Sequence, residues 1–243
     1  MPMVFLAAHW RDLLMANWAV DPAIVEPLVP RGTEIDFHEG KTYVSVVGFL
    51  FQQTRLFGWL PAPFHTDFEE INLRFYVVRR HPDGDRRGVV FVKEIVPRAA
   101  IALTANLIYN ENYVALPTRH RIEREGDAIR PGGLVRYAWG FRGKTQAIRG
   151  RMAGSPTPPA DDSEAAFISQ HYWGYARQRD GGTVEYQVEH PHWRVSPATQ
   201  VRLQADIAPL YGPGFVETLR RPPDSAFIAE GSEVLVRRGV RIA

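Results

Sequence analysis

The clearest periodic signal in the chain runs from Phe68 to Arg80, where Glu70, Asn72, Arg74 and Tyr76 alternate with Ile71, Leu73, Phe75 and Val77. A period of two puts the first set on one face of a β-strand and the second on the other. One face is polar throughout and the other apolar throughout. The turn from His81 to Gly88 follows, and Val89 to Val96 returns as the predicted hairpin partner.

The rest of the pattern is also dominated by strands. Thr42 to Gln53 is apolar on both faces around Val46 to Phe51, as a centrally buried strand is. Glu34 to Phe37 precedes it across His38-Glu39-Gly40-Lys41, which predicts a hairpin with glycine at a positive-φ position. Upstream, Leu13 to Val20 reads as extended, and Asp21-Pro22 opens a short helix to about Leu28 that Pro30 stops. Leu56 to His65 is a loop rich in Gly, Pro and aromatics, carrying Phe57, Trp59 and Phe64, that could lid a cavity. Pro97 ends the Val89 to Val96 strand, and Arg98 to Tyr109, with Ile101, Leu103, Leu107 and Ile108, predicts a helix of about three turns. Thr118 to Glu125, Leu134 to Phe141 and Thr145 to Met152 read as an antiparallel meander. Ala153 to Ser163, with Pro156, Pro158 and Pro159, is the one linker-like stretch. The residues after it, with a short helix near Ser163 to His171 and a hairpin at Asp180-Gly181-Gly182, hold few continuous apolar runs, so they are expected to complete the preceding sheet. Residues 1–243 are therefore read as a single domain.

Composition narrows the function classes. Hydrophobic residues make up 45% and charged residues 23%, which suits a packed globular core. The absence of cysteine excludes a disulfide framework, a thiolate nucleophile and a thiolate metal site. The apolar stretch Val4 to Ala8 has no basic residue before it and meets Arg11 and Asp12 early, unlike a secretory leader, and no segment reaches the roughly 20 apolar residues that cross a bilayer. A cytoplasmic protein with no membrane partner is expected. The formal charge is +2 and the arginines are scattered, at Arg79-Arg80, Arg86-Arg87, Arg149, Arg151, Arg220-Arg221 and Arg237-Arg238. Nucleic-acid binding needs a clustered basic face, so no nucleic-acid partner is expected.

Three constellations carry candidate chemistry. On the Phe68 to Arg80 strand, Arg74 offers a bidentate fork for a carboxylate or phosphate, with Glu70 as its partner or as an acid–base group and Asn72 and Tyr76 as ligand-binding neighbours. The bland alternative is a solvated outer face of an antiparallel sheet. Lys93, with Phe91 and Ile95 expected on its own face, is a candidate Schiff-base nucleophile in an apolar setting, against the commoner snorkelling lysine. His190-Pro191-His192, with His171 and Glu189, has the makings of a metal set, but the intervening proline argues for a turn and packing of a ring against Trp193. No metal and no cofactor are assigned. No G-x-S-x-G, P-loop or G-x-G-x-x-G supports a serine-hydrolase or nucleotide reading.

Several stretches together resemble the YqjF-like family of uncharacterised bacterial proteins. They are Trp10 to Leu14 with Ala16-Asn17-Trp18, Leu28-Val29-Pro30, Ile35-Asp36 before Gly40, Val47-Gly48-Phe49, Glu70-x-Asn72-x-Arg74-x-Tyr76-Val77, and His190 to Trp193. The resemblance spans nearly the whole chain, and it implies the acetoacetate-decarboxylase-like fold: a curved antiparallel sheet closing toward a cone-like barrel, with a few outer helices. Decarboxylases of that fold use a buried lysine beside a second lysine. Asn110 to Pro117, where that pair would be sought, holds no lysine, so only the strand with Glu70 carries over. The expected function is binding of a small anionic or carbonyl-bearing ligand. A lyase acting on an oxo acid, with Glu70 as acid–base group, and a non-catalytic interaction domain are the alternatives. Nothing in the chain fixes its oligomeric state; a homo-oligomer is compatible with it.

Overall fold

The computed structural model describes residues 3–61, 66–98 and 112–243. The helix expected from Arg98 to Tyr109 falls almost wholly outside the described residues, as does Phe64.

The principal strands of the first half are β1 (Val4–Val20), β2 (Glu34–Ile35), β3 (Thr42–Leu56), β4 (Leu60–Pro61), β5 (Phe68–Arg79), β6 (Arg86–Val96) and β7 (Tyr113–Ala115). They are followed by β8 (Thr118–Ile122), β9 (Arg124–Glu125), β10 (Ala128–Ile129), β11 (Leu134–Phe141) and β12 (Lys144–Met152). After the proline-rich stretch come β13 (Trp173–Arg177), β14 (Thr183–Glu189), β15 (Val195–Gln204), β16 (Ser225–Arg237) and β17 (Val240–Arg241). Among the described residues four short α-helices interrupt them: α1 (Pro22–Val25), α2 (Glu164–Ser169), α3 (Ile207–Tyr211) and α4 (Val216–Arg220). The side chains of Asp21 and Ser163 cap α1 and α2 by accepting from the Ala23 and Ala166 amides. Among the described residues no helix is long and apolar enough to cross a membrane.

Hydrogen bonding runs β14-β13-β6-β5-β3-β1-β16, and β14 then pairs with β16, so seven strands close into a ring. The pairings are antiparallel except those of β6 with β13 and with β7. β15 leaves β16 and continues into β12, β11 and β8, which form a second wall outside the ring. The strands beyond the proline-rich stretch thus pair with β6, β12 and β1, completing the sheet of the first part.

Apolar alternation on the ring strands feeds two clusters. Leu13, Met15, Val47, Phe49, Tyr76, Val188 and Phe227 face the inside, where Phe167 and Ile168 of α2 join them. Leu14, Val46, Leu73, Phe75 and Val77 face the other way and pack with Val135, Tyr137, Trp139 and Ile148 of the second wall and with α3 and α4. Strands covered on both sides need apolar residues at both parities, which accounts for the unbroken run in β3. At the closest approach of the two walls, a Cβ on Gly48 would lie 2.6 Å from the ring of buried Tyr137, whose hydroxyl donates to the Asp12 carbonyl at 2.9 Å. Gly48→Ala is expected to cost about 3 kcal/mol by overpacking. The midpoint should fall by roughly 10 °C in calorimetry; an unchanged midpoint would show that the walls can slide apart freely.

The expected hairpin of Glu34 to Phe37 with Thr42 to Gln53 does not form. Its turn has the expected positive φ at Gly40, with Glu39 also positive, and a single bridge joins His38 to Lys41, but β2 pairs with Val77 and Val78 of β5. The reason is Asp36: its amide donates to the Tyr76 carbonyl and its carboxylate takes hydrogen bonds from Arg87 and His171, which tie this segment to the opposite strand. Likewise the strand expected over Thr118 to Glu125 breaks after Ile122, and β9 turns away to pair with β10.

Candidate functional site

β5 carries its polar residues into the ring. Glu70 is 3% exposed, Asn72 1%, Arg74 9% and Tyr76 0%, so the solvated-face reading of this strand is wrong. Both faces are buried because the ring closes over one and the second wall covers the other.

Glu70 accepts from Asn72 Nδ2 at 3.0 Å and from the Tyr113 hydroxyl at 3.3 Å. Burial pushes its carboxyl up to about 7, against the opposing pull of those two hydrogen bonds and of the Arg74 charge. The register of β5 with β6 sets Glu94 directly opposite Asn72, 2% exposed, so a second carboxylate enters the same face. The Asn72 carbonyl oxygen is buried and has no hydrogen-bond partner among the described residues.

Arg74 and Glu70 do not pair, so of the two roles the sequence left open for Glu70, that of ion-pair partner falls away. The Arg74 guanidinium donates through Nε to the Tyr76 hydroxyl at 3.3 Å and through Nη2 to the Ile168 carbonyl at 3.2 Å, with the Met15 sulfur 3.9 Å away. It makes no ion pair with any described carboxylate. Tyr76 in turn shares a 2.7 Å hydrogen bond with Ser45, which donates to Asn17 Oδ1, and Asn17 donates to Ser225. This buried line of hydroxyls and amide fixes the tyrosine beneath the guanidinium.

Histidines close the periphery. His171 is bonded to Asp36 at 3.1 Å and packs on the rings of Tyr76 and Phe167, so it serves β2 rather than a metal set. Burial would raise Asp36, but hydrogen bonds from His171 and Arg87 bring it below the usual carboxylate range. His190 stacks on Trp193 with ring centroids 4.0 Å apart, as the proline beside it suggested, and burial with the Arg74 charge lowers its imidazole to about 4. Glu189 is engaged in a two-point pair with Arg237.

Lys93 is not brought to this site. A bulge between the Leu73 and Arg74 pairings places Lys93 opposite Leu73, on the outer face, while Phe91 stays opposite Arg74 on the inner one. Of the expected shared face of Phe91, Lys93 and Ile95, Lys93 and Ile95 do lie together on the outer side, and Phe91 is the correction. Lys41 and Lys144, the other lysines of the chain, are exposed. Glu94 escaped the sequence reading because a regular hairpin counted from the turn sets Lys93 opposite Asn72, and only the bulge brings Glu94 there.

A model of the conserved, uncharacterized DUF2071 proteins matches residues 7–233, nearly the whole chain. The chain belongs to this family. As a DUF2071 member it is 31% identical over 121 residues to the uncharacterized protein YqjF of Bacillus subtilis (strain 168), a match that covers 49% of this chain and 47% of that protein. Its fold is that of the acetoacetate decarboxylase group. It superposes on acetoacetate decarboxylase from Legionella pneumophila with a TM-score of 0.67 at 12% identity, covering 98% of this chain and 87% of the other. The enduracididine biosynthesis enzyme MppR, in complex with pyruvate, gives a TM-score of 0.68 at 14% identity over 100% of this chain and 91% of the other. An acetoacetate decarboxylase-like enzyme of Sphingomonas wittichii RW1 gives 0.66 at 15% identity, with 98% and 92% covered.

Proposed function

We propose that this DUF2071 protein binds a small anionic, carbonyl-bearing ligand inside the strand ring, with its anionic group on Arg74 and its carbonyl or hydroxyl between Asn72 and Glu70. The observation that carries this reading is the buried Arg74 guanidinium, held by a phenol, a thioether and a main-chain carbonyl, with no ion pair to a carboxylate among the described residues. A cation taken out of water needs a counter-charge, and a ligand carboxylate or phosphate supplies one in the geometry the fork favours. The unpartnered Asn72 oxygen and the carboxyl of Glu70 supply a second, uncharged contact point. The pyruvate bound by a fold neighbour guides the choice of probes.

A second reading, a lyase acting on an oxo acid, is favoured by one observation. Glu70 sits near neutrality, where a carboxyl both gives and takes a proton. No lysine stands on the inner face, so this reading runs without a covalent lysine adduct.

Thermal-shift measurement against pyruvate, acetoacetate, succinate and phosphate tests the proposal, because a ligand of the folded state raises the midpoint by mass action. A rise with at least one anion, saturating in the millimolar range or below, is the expected result. No response from any of them would leave the polar inner face a structural network. Borohydride reduction with pyruvate is expected to add no mass to the protein.

A further inference from the structure

The arginines that look scattered in the sequence are aligned by strand pairing. Arg121 of β8 lies directly opposite Arg136 of β11, Arg136 opposite Arg149 of β12, and Arg149 opposite Arg202 of β15. Directly paired residues of antiparallel strands share a face, so the four form one row across the second wall, about 14 Å long at the ordinary strand spacing. Arg119 and Arg151 lie two residues along their strands from Arg121 and Arg149 and add to the same face. The opposite parity, Tyr137, Trp139 and Ile148, packs on the outer apolar cluster, so the row looks away from the core.

Like charges placed directly opposite each other destabilise a sheet. Among the described residues, carboxylate ion pairs offset this at one end, where Glu123 takes Arg121, Arg130 and Arg151 together. Arg119, Arg136, Arg149 and Arg202 have no ion-pair partner among the described residues, Arg119 being bonded to the Thr145 hydroxyl. Burial, with Arg119 and Arg149 close by, lowers the guanidinium of Arg136 from its ordinary value. Ala138, Ala147 and Gly140 lie between the rungs, and no aromatic side chain shares the face. Beside it a groove of ≈ 680 Å³, rimmed by Arg149, Arg151 and Arg202, opens in the fork where β15 parts from β16.

We propose that this arginine row binds the phosphate backbone of double-stranded nucleic acid, without reading its sequence. Closely spaced guanidiniums with no counter-charge suit a dense, regular array of phosphates. The missing aromatics argue against stacking of single-stranded bases, and the half-buried Leu134 beside Arg151 is too little apolar surface for insertion into a lipid surface. The site is separate from the inner face of β5 and independent of any small ligand held there.

The test is fluorescence anisotropy of a labelled mixed-sequence duplex of 20 base pairs with the full chain, over a series of salt concentrations. Binding below about 50 mM salt is expected, with log K falling against log salt at a slope near −4, about 0.9 per phosphate neutralised. Arg149→Glu and Arg202→Glu together should weaken binding at least about tenfold and make the slope shallower by about 2. The exposed Arg238→Glu, at the far end of β16, should reverse the same charge once without that loss. Arg149→Glu should also hold or raise the thermal midpoint, because a carboxylate between Arg136 and Arg202 relieves the repulsion. The proposal is overturned by absence of binding at low salt, by equal losses in the row and control variants, or by binding to anionic vesicles with none to the duplex.

Discussion

Arg74→Met abolishes the anion-induced thermal shift while leaving the midpoint of the unliganded protein within about 4 °C of wild type. The two effects separate because the guanidinium is buried without an ion pair to any described carboxylate. Methionine keeps the length and apolar character of the stem beside Met15, and it removes a charge whose desolvation weighs against folding. What folding loses is a hydrogen bond to the Ile168 carbonyl and one to Tyr76, whose hydroxyl keeps its bond to Ser45. Binding loses the charge-assisted pair to the ligand, about 3 kcal/mol or a hundredfold in Kd. Arg74→Lys, which keeps the charge and loses the fork, should fall between the two. A methionine variant that melts more than about 10 °C early would show instead that the guanidinium braces α2 against β5, and the ligand reading would lose its main support.

Between pH 4.5 and 7 the protein should lose stability as the pH rises, through Glu70. Its folded carboxyl titrates near 7, against 4.5 for an ordinary glutamate. A raised acid holds its proton more tightly in the folded state. Below 4.5 both states are protonated and the group contributes nothing; as pH climbs, the unfolded chain ionises first and gains. The deficit is complete once the folded carboxyl has also ionised, and amounts to about 3 kcal/mol from the shift. Glu70→Gln removes this slope, so the difference in unfolding free energy between variant and wild type should be small at pH 4.5 and grow toward pH 8 in favour of the glutamine. Parallel curves would mean that water reaches the carboxylate and keeps it an ordinary acid. The same titration predicts that anions bind Arg74 less well above neutrality, where a second negative charge appears nearby.

The division of β5 into two faces was legible, since alternation depends only on chain geometry. What covers each face was not, because the closure of β14 on β16 and the approach of Tyr137 to Gly48 join residues far apart in sequence. Lys93 shows a sharper limit: one extra residue in β6 shifts its parity against Phe91, and no residue type in Phe91 to Ile95 announces the bulge. Glu94 was passed over although it stands in the strand identified as the partner. The turn at Glu39-Gly40 was correctly placed, but Asp36 recruits its own partners across the molecule and takes β2 with it. Arginine alignment across β8, β11, β12 and β15 belongs to pairing register, a property of the sheet rather than of any one segment.

The pairing of β1 with β16, Val4 against Arg237 through Asn17 against Ser225, has a consequence for how the molecule is made. A ribosome releases β1 some 200 residues before β16, so the first long strand waits through that stretch of synthesis with one edge unpaired. The floor under Arg74 depends on the same late arrival, because the line from Tyr76 through Ser45 and Asn17 ends on Ser225. Folding of this kind is slow, since loop closure over some 200 residues comes before its reward. The waiting edge is a natural client for a chaperone, and the inner face acquires its chemistry only once β16 has been made.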